Sequence, residues 1–89
     1  MRDFLVEENL RKVLQKIAKK DKVMHEAVIK KIGEIISCAD VNHYKNLRAP
    51  LQEFKRVHIK SSFVLIFKDM ASEDKVVFFN LDHHDNIYD

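Results

Sequence analysis

Leu10, Val13, Leu14 and Ile17 recur at the i, i+3, i+4, i+7 spacing that lines up apolar side chains on one stripe of an α-helix, and they predict a helix over residues 7–19. Arg11, Lys12, Lys16 and Lys19 fall on the opposite arc, and Glu7 and Glu8 stand where the positive end of a helix dipole favours acids. Asp21 has the character of an N-cap for a second helix. Its apolar stripe of Met24, Val28, Ile32, Ile35 and Ile36 runs to about residue 37. So few residues separate the two helices that an antiparallel hairpin is expected. His25 lies beside Val28, Ile29 and Ile32 on the helical wheel and reads as a packed structural residue rather than a ligand. Gly33, the only glycine, costs a helix about 1 kcal/mol relative to alanine, and it is expected to mark close packing against a sheet.

Beyond the second helix the period changes. Residues 40–52 hold Asn42, Asn46 and the only proline, Pro50, and read as an irregular connection. Phe54, Arg56 and His58 then alternate with Lys55, Val57 and Ile59, which assigns the two sets to opposite faces of a strand. Lys60-Ser61-Ser62 reads as a turn. Residues 63–67 are apolar on both faces, as a central strand requires, and residues 69–74 supply another turn before a strand at 76–81. With a short strand over residues 2–6, the order is β-α-α-β-β-β. The predicted fold is α+β, a helical hairpin packed on one face of a small, strongly twisted, mainly antiparallel sheet.

Composition narrows the class. At 89 residues the chain is expected to form a single domain, 1–89, whose surface leaves room only for a shallow pocket. It has no apolar run near the roughly 18 residues that a membrane span needs, and residues 1–4 lack the pattern of a signal peptide. A soluble, cytoplasmic protein is therefore expected. Cys38 is the single cysteine and reads as a small apolar residue in a reducing compartment.

The net charge of +2 conceals an asymmetry. Residues 1–60 carry 14 Lys and Arg against 8 Asp and Glu, whereas residues 61–89 carry 2 against 6. Lys45, Arg48, Lys55, Arg56 and Lys60 stand within one short stretch against Glu53 alone. Such a cluster suits either phosphate neutralisation on a nucleic acid or a solvated face.

Residues 82–89 then place His83, His84 and Tyr88 directly after a hydrophobic strand. Imidazoles titrate near neutral pH, so this tail suits chemistry on a phosphodiester, and it equally suits a polar surface end. A metal centre built from Asp82-His83-His84-Asp85 is disfavoured because adjacent residues on a strand diverge. If the strand continues through them, His83 and His84 face opposite ways, and at most one shares a site with His58.

Taken in order, Arg56-Val57-His58-Ile59, then Phe63-Val64-Leu65-Ile66-Phe67-Lys68, then His83-His84 with Tyr88 four residues on from His84, resemble the RelE/ParE superfamily of toxin–antitoxin toxins. Within it the resemblance is greatest to the YafQ-like branch, and it runs through nearly the whole chain. It implies a RelE-like fold and a ribosome-dependent mRNA endonuclease held inactive by a cognate antitoxin. It implies no cofactor and no metal: the RNA 2′-hydroxyl attacks the adjacent phosphorus, leaving a cyclic phosphate and a free 5′-hydroxyl.

By position, the resemblance assigns catalysis to His58 and His84, with Arg56 and Tyr88 beside them. RNA binding falls to Lys45, Arg48, Lys55, Lys60 and His83. Three positions depart from the family pattern, one being the glycine expected after the loop leucine, where Arg48-Ala49 follow Leu47. Ser62 stands where the YafQ-like branch has an acid, so either Asp82 or Asp85 takes any carboxylate role or the site works poorly. The family's loop histidine falls near Lys45, with His43 two residues away. A ParE-like gyrase-binding toxin and an inactive antitoxin-binding relative are the alternative readings.

Overall fold

A computed structural model of the chain describes residues 3–38, 44–47, 53–60 and 62–83. Helix α1 (Glu8–Lys20) starts after Glu7, whose backbone is extended, and carries Glu8 in its first turn and Lys19 and Lys20 in its last. These charges oppose the helix dipole at both ends. Asp21 then joins the helices: its N–H donates to Ile17 O at 2.7 Å, closing α1, and its Oδ1 accepts from Met24 N at 3.1 Å, capping α2 (Lys22–Ser37). The single-residue joint accounts for the tight hairpin.

Among the described residues the sheet has five strands in the order β1-β5-β4-β3-β2, formed by β1 (Asp3–Val6), β2 (Lys45–Asn46), β3 (Lys55–Ile59), β4 (Phe63–Met70) and β5 (Lys75–His83). Among the described residues only the β1–β5 pairing is parallel, so the expected mainly antiparallel α+β fold is the one observed. The strand β2 is new. It lies within the stretch read as an irregular connection and pairs antiparallel with β3, with Lys45 opposite Arg56 and Asn46 opposite Lys55. β4 also extends through Asp69 to Met70, into the expected turn, which begins instead with a 3-10 segment at Ala71–Glu73.

The helical hairpin covers one face of this sheet. Leu10, Met24, Val28, Ile32, Ile35 and Ile36 pack against Ile59, Leu65, Phe67, Val76, Phe78 and Leu81. Phe67 and Phe78 are fully buried and touch each other with ring centroids 5.9 Å apart. Each such side chain contributes about 1.5–3 kcal/mol by leaving water. Cys38 is half-buried against this core, as an apolar residue would be. His25 is half-buried on α2.

Gly33 corrects the expectation attached to it. A Cβ built there meets nothing within 4 Å, so close approach of the sheet does not explain the glycine. Among the described residues no helix is long and apolar enough to cross a membrane.

Candidate functional site on the sheet face away from the helices

The alternation in β3 is carried into the sheet by its register. Lys55, Val57 and Ile59 lie opposite Phe67, Leu65 and Phe63 of β4, on the side of the helices. Arg56 and His58 therefore lie on the other side, since directly opposed residues share a face. His58 pairs with Val64, and Val64 with Asp82, so these three form one row across three strands. Arg56, Ile66 and Asn80 form the adjoining row by register, and the Asn80 side chain reaches back to α1, its Oδ1 accepting from Asn9 Nδ2 at 3.2 Å.

Val64 is fully buried and Ile66 nearly so, which gives the two rows an apolar floor between polar flanks. His58 is exposed and Arg56 half-buried. Lys60 sits exposed in the turn that follows β3, in a left-handed conformation with φ of 57°.

A break in the β4–β5 register adds an apolar ledge. Ile66 opposes Asn80 while Phe67 opposes Phe78, so Phe79 is the extra residue of a bulge. Its ring meets Phe54 edge-on, with centroids 4.8 Å apart and planes at 88°. Lys68 Nζ lies 6.0 Å from the centre of the Phe54 ring and 3.5 Å from Glu53 Oε2. This aromatic and cationic ledge escaped the sequence reading, because a bulge leaves no periodic signal.

Two residues expected in the site are placed elsewhere. Lys55 faces the helices, is 9% exposed, and donates from Nζ to Asn46 Oδ1 at 2.9 Å and Tyr44 O at 3.4 Å. Its charge is thus directed into the fold, away from Arg56 and His58. His83 pairs with Phe63 in register and stacks edge-on against it at 5.7 Å, which places it on the side of the sheet opposite to His58. Of the two adjacent histidines, His83 therefore does not share a face with His58.

Lys45 reaches the neighbourhood through its backbone, as the Cα partner of Arg56. Arg48, His84 and Tyr88 lie outside the described residues, as do His43 and Asp85. The structure thus brings together Arg56, His58 and Asp82, with Lys60 and Lys68 at the margins. Cations, an imidazole and a carboxylate over an apolar floor can hold a phosphate and move protons about it.

Comparison with known proteins bears on this arrangement. No family model matches the chain. A protein of Methanocaldococcus jannaschii that carries the name of a candidate toxin, RelE4, is 51% identical over 80 residues, covering 90% of this chain and 83% of its own. Among solved structures, a metal-bound toxin from Helicobacter pylori superimposes with a TM-score of 0.78 at 19% identity, covering 99% of this chain and 100% of that one. YafQ from Escherichia coli strain BL21(DE3) gives 0.76 at 14% identity over the whole of both chains. The intact E. coli RelBE toxin–antitoxin complex gives 0.72 at 15%, covering 91% and 94%. At such identities the structural matches establish a shared fold, and the archaeal relative supplies the kinship.

Proposed function

The chain belongs to the RelE/ParE superfamily of toxin–antitoxin toxins, and from that premise we propose that it is a cytoplasmic, ribosome-dependent mRNA endonuclease that cuts without a metal. The observation that carries this reading is the row His58–Val64–Asp82 beside Arg56 on the face turned away from the helices.

Cleavage by 2′-hydroxyl attack needs an acceptor for the 2′-proton, a donor for the leaving 5′-oxygen and cations around the pentavalent phosphorus. His58 and His84 serve as the proton-transfer and charge-stabilising imidazoles. Arg56 offers a planar set of donors to the non-bridging oxygens. Tyr88 stacks on a base or lends its hydroxyl, while Lys45, Arg48 and Lys60 hold flanking phosphates. His83, stacked on Phe63, and Lys55, bonded to β2, act structurally. The partner is a cognate antitoxin, consistent with a neighbour solved as a toxin–antitoxin complex.

The test is cleavage of ribosome-bound mRNA by the purified chain, with growth arrest on expression as its cellular counterpart. His58→Ala and His84→Ala should each lower cleavage about 10²–10⁴-fold, while leaving the fold and antitoxin binding intact. DNA damage without mRNA cleavage would point instead to gyrase as the target. A folded chain that neither cleaves nor arrests growth would be an inactive relative.

A further inference from the structure

Asp82 is the carboxylate that shares a row with His58. The register puts Asp3 on the same face, but in the row of Lys75 and Met70 at the other end of β5. Glu53 is engaged with Lys68. A carboxylate repels an RNA backbone, so a face serving only to hold phosphates gains nothing from Asp82. Its position is also held, since Oδ1 accepts the N–H of His83 at 2.7 Å.

The spacing suits a bond exchange at phosphorus. His58 and Asp82 stand two strands apart, about 9.5 Å at Cα, with the fully buried Val64 between them. In-line displacement requires proton acceptor and donor on opposite sides of the phosphorus, each within about 3 Å of its own oxygen. A phosphate lying between the His58 and Asp82 side chains has one such group on either side.

Resting on the endonuclease reading above, we propose that Asp82 is the group that accepts the 2′-hydroxyl proton. As that proton passes to the Asp82 carboxylate, O2′ bonds to phosphorus. The bond from phosphorus to O5′ breaks, and the His58 imidazolium gives its proton to O5′. The products are a 2′,3′-cyclic phosphate and a 5′-hydroxyl, with Arg56 countering the charge on the non-bridging oxygens.

The experiment measures single-turnover cleavage of ribosome-bound mRNA, with a second mRNA carrying sulfur in place of O5′ at the cleavage position. Sulfur departs without a proton, so it bypasses the donor but not the acceptor. Asp82→Asn should lose at least about 100-fold on both substrates, with unchanged binding to the programmed ribosome. Asp82→Glu should retain activity within tenfold of the unmodified chain. His58→Ala should lose as much on the oxygen substrate and recover on the sulfur one. Should Asp82→Asn fail to fold, Asp82→Ser is read in its place.

Cleavage by Asp82→Asn within threefold of the unmodified chain, or its rescue by sulfur, overturns this assignment and leaves the endonuclease reading standing. An unmodified chain inert on both substrates overturns both.

Discussion

Lys55 Nζ lies 2.9 Å from Asn46 Oδ1 and binds β2 to β3 from beneath the sheet, in a side chain only 9% exposed. The same ammonium reaches Tyr44 O, and the Tyr44 ring stands edge-on to Phe67 at 5.5 Å. A two-residue strand at a sheet edge has little pairing energy of its own, so these side-chain contacts hold it in place. Lys55→Met keeps the aliphatic stem but leaves Tyr44 O and Asn46 Oδ1 without their donor. A loss of about 1–3 kcal/mol is expected, measured from denaturant midpoints. Amide exchange should accelerate at Tyr44–Leu47 before the rest of the sheet. Unchanged exchange there would show that β2 holds without the lysine. Because Lys45 sits opposite Arg56, the variant should also weaken mRNA cleavage.

Gly33→Ala should stabilise the protein. The position is helical, its φ is not in the left-handed region, and an added Cβ has nothing within 4 Å to strike. The gain is about 0.5–1 kcal/mol from helix propensity and a less mobile unfolded chain. Thermal unfolding should move up by about 2–8 °C for a domain of this size. A lower midpoint would mean that the glycine serves a contact formed with another molecule.

These positions show what was legible from residue order. The hairpin could be read because Leu10 to Ile17 and Met24 to Ile36 repeat at the helical period, and Asp21 carries the one side chain suited to cap the second helix. Arg56 and His58 could be assigned to one face by alternation alone. Their juxtaposition with Asp82 could not, because it depends on how β3, β4 and β5 slide past one another. Lys55 was misplaced for a different reason: charge suggests solvent, whereas two acceptors, Tyr44 O and Asn46 Oδ1, make a buried lysine tolerable. β2 itself is too short and too polar to show a period.

Phe67→Ala should be the most damaging of these substitutions. The ring is fully buried and touches both Tyr44 and Phe78, so its removal opens a cavity that two other aromatics border. A cost of about 3–5 kcal/mol is expected, against a total stability of roughly 5–13 kcal/mol for 89 residues. Urea unfolding should show a lower midpoint with a similar slope. A loss below about 1 kcal/mol would mean that the helices collapse onto the gap.

Lys31 and Glu34 give the clearest pH signature. Their charged atoms lie 2.8 Å apart across one turn of α2, with side chains 31% and 47% exposed. The hydrogen bond from Lys31, then its charge, holds the Glu34 carboxyl below its ordinary value, and the hydrogen bond to Glu34 raises the Lys31 ammonium above its own. The lowered carboxyl contributes stability that is present above the ordinary carboxylate value of 4.5 and lost as pH falls through its lower folded value. The raised ammonium contributes stability that is present below 10.5 and lost as pH rises through its higher folded value. The pair thus helps across the neutral range and fades at both ends. Solvent reaches both groups, so the effect is small and salt weakens it further. Glu34→Gln should unfold slightly more easily than the unmodified chain at pH 7, and the difference should shrink toward pH 3 and in high salt. A difference that is constant from pH 3 to pH 7 would assign the effect of the substitution to helix propensity rather than to charge.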